Sequence, residues 1–171
     1  MRFHAAVAVL LIASVPCLAQ AVPTTTVETL SGKKLALPDA IRGHIAILII
    51  GFSHSSKDPT SEWSKNLRAA FGGDQNVQIY EVADIAGAPR MFRGMITSGM
   101  RTSVQQDQRD NFFVVTQDDG AWKGWAGFSA ADDAYILLVD KSGQQVWKTH
   151  GAFNQPTLAD LKKRALALET P

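Results

Sequence analysis

The chain has 171 residues, 46% of them hydrophobic, with 17 basic side chains, 16 acidic side chains, four histidines and one cysteine. This length is typical of one domain with an adequate core, and no repeat, low-complexity tract or linker divides it. The balanced charge, without a basic block, gives no electrostatic reason to expect nucleic acid or an anionic membrane as a partner.

The first 21 residues, MRFHAAVAVLLIASVPCLAQA, have the early arginine, apolar run and small-residue end of a secretory signal peptide. Ala19-Gln20-Ala21 fits an A-x-A cleavage site, which would leave one domain over residues 22–171. The apolar run is shorter than the roughly 20 residues of a good membrane span, so no stable membrane anchor is expected after cleavage. The expected location is the periplasm or the exterior of the cell.

Cys17, the only cysteine, lies inside this leader. Lipidation there is less favoured, because Pro16 stands where the lipoprotein signals that it resembles have a small residue. After cleavage the domain would have no thiol for a disulfide, for attack on a peroxide or for metal binding through sulfur.

Predicted strands and helices alternate along the rest of the chain. TTVETL and KLALPDAI, joined by Ser31-Gly32-Lys33, predict a hairpin. The continuous apolar run IAILII at 45–50 is typical of a central strand covered on both faces. Asp58 and Pro59 then predict the N-cap and first turn of a helix, with an apolar face formed by Trp63, Leu67, Ala70 and Phe71.

The second half continues the alternation. VQIYEVADI predicts a strand, Pro89 to Met100 a helix, and NFFVVT a third buried strand. AYILLVD and QQVWKTH, joined by Lys141-Ser142-Gly143, predict a hairpin in which Trp147 is a packing residue. Thr157 is the predicted cap of a last helix, with Asp160 at the capping-box position and an apolar side formed by Leu158, Leu161, Ala165 and Leu168.

This order predicts an α/β fold with a mixed sheet. VETLSGKKLALPDAIRGHIAILIIGFS and YILLVDKSGQQVWKTHG resemble the entry hairpin, central strand and terminal hairpin of thioredoxin-like proteins of the peroxiredoxin and secreted thioredoxin type. The resemblance implies three layers, with a central mixed sheet flanked by helices and an N-terminal hairpin.

Oxidoreductase activity does not carry over from that resemblance. Redox members have a cysteine just after the central strand, where this chain has Ser53-His54-Ser55-Ser56-Lys57. They also tend to have a cis-proline before the hairpin strand, where this chain has Asp132-Asp133-Ala134.

A thioredoxin-like family without these landmarks is similar in two segments. GFSHSSKDPTSEWSKNL and YILLVDKSGQQVWKTHG resemble the mitochondrial ATP synthase assembly factors and their bacterial relatives. Members of that family resemble chaperones or assembly proteins and not catalysts. The resemblance therefore implies a redox-inactive module with a protein partner and without a cofactor.

The thioredoxin-like arrangement also implies a polar site. The end of the central strand, the start of the first hairpin strand and the end of the second meet at one pole of the sheet, which would make neighbours of His54, Asp132, Asp133 and His150. The candidate binding residues there are Ser53, His54, Ser55, Ser56, Asp133 and His150. The leading hypothesis is that this pole binds a protein partner. The plainest interpretation of the serines and Asp58 is that they bond to the backbone amides of the turn and cap the helix.

Two catalytic or ligand-binding alternatives remain open. His54, His150 and Asp133 could hold zinc or copper with a water in the open position. Gly51-Phe52-Ser53-His54-Ser55 also invites comparison with a nucleophile elbow, in which Ser53 would be the nucleophile of a serine hydrolase and His150 its base.

The remaining large side chains have competing interpretations. Trp122 and Trp125, with Phe128, lie in the glycine-rich stretch DDGAWKGWAGF and could form an exposed protein-binding surface or cover the sheet edge under a loop. Met91, Met95 and Met100 are predicted to fill the core.

Overall fold

The computed structural model describes residues 20–169. Their strands are β1 Gln20–Ala21, β2 Thr25–Thr29, β3 Lys34–Leu37, β4 Ile45–Gly51, β5 Val77–Asp84, β6 Phe112–Val115, β7 Ala134–Val139 and β8 Gln144–His150. Their helices are α1 Lys57–Phe71, α2 Arg90–Ser103, α3 Asp119–Ala126 and α4 Gln155–Glu169. The predicted leader and Cys17 lie outside the described residues, except that Gln20 and Ala21 form β1.

The strands form one mixed sheet in the order β1-β8-β7-β4-β5-β6-β2-β3. β4 pairs in parallel with β5 and antiparallel with β7. Residues 45–50 are at most 1% exposed, because a strand in the middle of a sheet covered on both faces has no solvent side. The predicted central strand and the β7–β8 hairpin are therefore confirmed.

Alternate side chains of β4 enter two separate cores. Ala46, Leu48 and Ile50 face one core, which α3 covers with its two tryptophans. Ile45, Ile47 and Ile49 face the other, which α1 and α4 cover. Two helical layers around a sheet give the predicted three-layer architecture, whereas α2 contributes no buried residue to either core.

The entry hairpin β2–β3 forms as predicted, with Thr25 opposite Leu37. Its second strand is shorter than expected, because Pro38 has no N–H to donate to a ladder. The residues after it form a short 3-10 helix, Asp39–Ile41, which places Ile41 in the core.

The predicted starts of the first and last helices were each wrong by two residues or more. α1 begins at Lys57, so Asp58 is inside the helix and is not its N-cap. α4 begins at Gln155, and Asn154 Oδ1 accepts the backbone N–H of Thr157 at 2.9 Å. Asn154 is therefore the capping side chain in place of Thr157, because its carboxamide reaches the free amide three residues ahead.

The segment around Trp122 and Trp125 is a helix, although its glycines predicted a loop. α3 ends in a left-handed Gly127, φ 72°, and the N–H of Phe128 donates to Lys123 O at 2.8 Å. This is the usual way for a helix to end in glycine. Between residues 20 and 169, no helix combines the length and apolarity that crossing a bilayer requires.

Candidate functional site

The turn after β4 is closed by Ser53 and Ser56. Ser56 Oγ donates to Ser53 O at 2.8 Å and accepts the N–H of Ser53 at 3.4 Å. The N–H of Ser56 donates to Ser53 Oγ at 3.2 Å. Gly51 makes room for this arrangement, because a Cβ there would lie 2.6 Å from Ser56 Oγ. The interpretation of these two serines as partners of the turn's backbone amides is confirmed.

Three elements meet beside this turn, as the fold resemblance implied. Ser53 Oγ donates to Asp132 Oδ1 at 3.1 Å, which ties the end of β4 to the loop before β7. His150 Nδ1, at the end of β8, lies 2.6 Å from Asp133 Oδ2. We call Ser53, Asp132, Asp133 and His150 the polar pole. His54 and Ser55 are exposed beside it and make no side-chain hydrogen bond within residues 20–169.

The described residues do not form the metal site that the sequence suggested. His150 pairs with Asp133, but nowhere between residues 20 and 169 do three histidine, cysteine or acidic side chains come together as a metal-binding group. The third ligand in that hypothesis, His54, comes from a different turn. The zinc or copper hypothesis thus has one ligand pair and no triad.

The hydrolase hypothesis fails on the same geometry. A serine nucleophile needs an imidazole within hydrogen-bond reach of its hydroxyl. Ser53 Oγ instead donates to Asp132 Oδ1 at 3.1 Å, and within residues 20–169 it forms no hydrogen bond with His150, whose Nδ1 pairs with Asp133. Ser53 is therefore a structural hydroxyl that links two loops.

Aromatic rings lie under the polar pole, and sequence reasoning missed their role. Phe52 makes edge contacts with Phe128 at 5.2 Å and with Tyr135 at 5.3 Å between ring centroids, and Tyr135 stacks on His150 at 5.3 Å. The hydroxyl of Tyr135 accepts the N–H groups of Ser129 and Ala130 and donates to Ala130 O, at 2.8–2.9 Å. The loop that carries Asp132 and Asp133 is therefore fixed to the sheet from below.

Trp122 and Trp125 do not form an exposed binding surface. They are 0% and 4% exposed, with ring centroids 5.8 Å apart, and belong to the core under α3. Burial, the more conservative of the two interpretations, is the one that holds. A helical spacing of three and a glycine at 127 were the signals that could have revealed it.

A second group that sequence reasoning missed is centred on Asp84, at the end of β5. Asp84 is 8% exposed, its Oδ1 accepts the N–H of Ala86 at 2.9 Å, and its buried Oδ2 has no partner in the described part of the chain. Burial raises the pKa of this carboxyl to about 6, against the opposing N–H of Ala86 and with the added repulsion of the Asp119 carboxylate. Lys123 lies 2.9 Å from Asp119 and also covers the ring of Phe128, 5.0 Å from its centroid.

The methionines of α2 are not core residues, contrary to the sequence prediction. Met91 is 82% exposed and Met95 is 69% exposed, beside Phe92 at 46%, whereas Met100 is half-buried and outside both cores. α2 is instead attached through Arg93, whose guanidinium donates to the carbonyls of Ala86, Ala88 and Thr116 at 2.5–2.8 Å. A helix held by an arginine in this way can leave its apolar side chains uncovered.

Solved structures of known proteins share this architecture. BsSco, a member of the Sco family of cytochrome c oxidase assembly proteins, is similar with a TM-score of 0.60 at 13% identity, over 90% of this chain and 95% of that one. The exposed lipoprotein thioredoxin of Streptococcus pneumoniae has a TM-score of 0.57 at 18% identity, over 81% and 98%. The thioredoxin domain of a thiol-disulfide oxidoreductase from Bacteroides vulgatus has a TM-score of 0.58 at 17% identity, over 85% and 95%.

At these identities the similarity is one of fold, and it confirms the thioredoxin-like expectation. No curated protein matches the sequence. The model of one protein family matches residues 18–167, which include all but the last two of the described residues. On that match, the chain belongs to the ATP10 protein family.

Proposed function

We propose that this chain is an exported, protein-binding assembly module for ATP synthase that works without thiol chemistry. The observation that carries the proposal is the family match over residues 18–167, since the name of that family's model refers to ATP synthase and the sequence resembles its assembly factors. A thioredoxin-like domain of this family is a module of the assembly or redox type.

The chemistry of the polar pole supports assembly over redox work. Several proteins of similar fold are named for thiol-disulfide exchange, which needs a reactive thiolate. Residues 18–171 of this chain contain no cysteine, and the turn after β4 is occupied by hydrogen-bonded serines. The pole then acts as a rigid polar surface, beside which exposed His54 and Ser55 are available to a partner protein.

The assembly role is tested by deleting the gene and resolving membrane complexes by native electrophoresis. We expect less fully assembled ATP synthase in the deletion strain and recovery when the wild-type gene is returned. An unchanged amount of assembled enzyme in the deletion strain would contradict the proposal.

Export has its own test. N-terminal sequencing of the protein isolated from its source should find Val22 as the first residue, with the protein in the exported fraction. A product that keeps residues 1–21 and stays in the cytoplasm would contradict the export part of the proposal.

A further inference from the structure

The outer face of α2 is the largest group of exposed apolar side chains on one described element. Three of the five large hydrophobic residues that are exposed between residues 20 and 169 are Met91, Phe92 and Met95, within two helical turns. Isolated exposed apolar residues are ordinary, whereas a cluster of large ones marks an interaction surface. Methionine is favoured at such surfaces because its flexible thioether adapts to the partner.

This face is held in place without being covered. Arg93 ties the start of α2 to three backbone carbonyls, and Nε of Arg101 donates to Leu30 O at 2.7 Å near its end. The helix therefore does not depend on burial of its methionines for its position. We call the exposed side chains of Met91, Phe92 and Met95 the methionine ridge. Because α2 is already ordered, binding of a partner to this ridge costs little conformational entropy of the helix.

The shape of the ridge fits another helix. Met91 and Met95 are one turn apart, so their side chains follow each other along the axis. Nothing lies within 4 Å of where a Cβ would be on Gly94 or Gly99. A partner helix can therefore approach the backbone of α2 closely beside the methionine ridge.

The charges of α2 indicate which residue types would favourably flank the apolar face of a partner helix. α2 has three arginines and no acidic residue, and none of the three arginines forms an ion pair in the part of the chain that the structure describes. Arg90 and Arg101 are exposed near opposite ends of the helix. The first turn, where the helix dipole is positive, has Arg90 and no acidic residue to offset it. Acidic groups on a partner would compensate this excess of positive charge.

We infer that the exposed face of α2 binds an amphipathic helix of a partner protein whose apolar side is flanked by acidic residues. The inference rests on the proposed function, since it names the surface and the partner chemistry of an assembly module. It places a second partner surface on α2, whose residues are distinct from those of the polar pole.

Two designed helical peptides test it, identical in their leucine face and different only in having glutamates or lysines beside that face. Binding of each labelled peptide to the purified protein is followed by fluorescence anisotropy. We expect the glutamate peptide to bind about tenfold more tightly than the lysine peptide, and high salt to reduce that difference. Equal affinity for the two peptides, or no binding of either, would overturn the inference.

Variants locate the contact. Met91→Glu with Met95→Glu should weaken binding of the glutamate peptide about tenfold or more, because it places like charges on the ridge. Leu166→Glu is the matched control, since Leu166 is 54% exposed on α4, and it should leave the affinity within about twofold. Equal weakening by the control would place the contact elsewhere and overturn the inference.

Two further measurements test whether the face of α2 instead binds a lipid membrane or a second copy of this chain. Sedimentation of the protein with phosphatidylglycerol vesicles that requires Met91 and Met95, or a wild-type dimer that the double variant dissociates, would overturn the helical partner. The two proposals fail separately. If the double variant restores ATP synthase assembly as fully as wild type, the inference about α2 is overturned and the assembly role stands.

Discussion

Helix α3 buries its large apolar side chains, whereas helix α2 leaves its own exposed. α3 has eight residues and buries Trp122 and Trp125 against the sheet, whereas α2 has 14 residues and buries none. α3 is held by the hydrophobic effect and α2 largely by the hydrogen bonds of arginines to backbone carbonyls. The difference shows that an apolar helical face does not by itself predict burial, because the fold decides whether the protein's own core covers it.

The sharpest test of this contrast is Trp122→Ala compared with Met91→Ala. Removing a fully buried tryptophan leaves a cavity under α3 and should lower the free energy of unfolding by about 3–5 kcal/mol. Truncating Met91, which is 82% exposed, should change it by less than about 0.5 kcal/mol. Urea unfolding measures both, and similar losses in the two variants would break the comparison.

The α3 side also contains the buried carboxyl of Asp84, which predicts a pH dependence. Its folded pKa of about 6 lies above the ordinary value of 3.8, so the folded state binds this proton more tightly than the unfolded state does. The resulting destabilisation is absent below about pH 4 and complete above about pH 6, where it amounts to at most about 3 kcal/mol.

Asp84→Asn should therefore raise the free energy of unfolding at pH 8 and flatten its change between pH 4 and 6. Asp107→Asn, at an exposed site, is the control and should leave the pH profile as it is. A loss of stability at pH 8 in Asp84→Asn would show that the ionised carboxylate is stabilising.

On the α2 side, Arg93→Met should cost about 2 kcal/mol, because three carbonyls lose a charged donor. Hydrogen exchange should then accelerate across α2 and leave α3 protected. Arg90→Met, at an exposed position on the same helix, serves as the reference and should leave exchange unchanged. If α2 stays protected without Arg93, another contact holds it.

The smallest expected change in the free energy of unfolding comes from a substitution in the turn that Ser53 and Ser56 close. Ser56→Ala removes a buried hydroxyl that bonds to Ser53 O and should cost about 1 kcal/mol in thermal or urea unfolding. Ser55→Ala, at the exposed neighbouring position, should be neutral. Equal effects would mean that the Ser53–Ser56 bonds do not stabilise the turn.

The two strands of the centre could be predicted because short, uninterrupted apolar runs such as those of β4 and β7 are typical of strands covered on both faces. The meeting of Asp133 and His150 followed from the fold resemblance, since β7 and β8 pair antiparallel and bring these ends together. Sequence patterns therefore predicted the arrangement correctly where the contacts are between neighbouring strands.

The errors have physical causes. α3 was missed because three glycines in or just after a helix of eight residues outweigh two tryptophans in any local pattern. The exposure of Met91 could not be predicted, because periodicity gives an apolar face without saying what covers it. The Asp84 group depends on Asp119, far along the chain, and only the tertiary fold brings these carboxyls together.

Assembly work without thiol chemistry is tested most directly by Cys17→Ser, because Cys17 is the only cysteine. The measurement is the amount of assembled ATP synthase on native gels after the variant gene is returned to a deletion strain that the wild-type gene restores. We expect Cys17→Ser to restore assembly to the wild-type level. A stably produced variant that is found in the same fraction as wild type, keeps residue 17 as wild type does and restores no assembly would contradict the thiol-independent role.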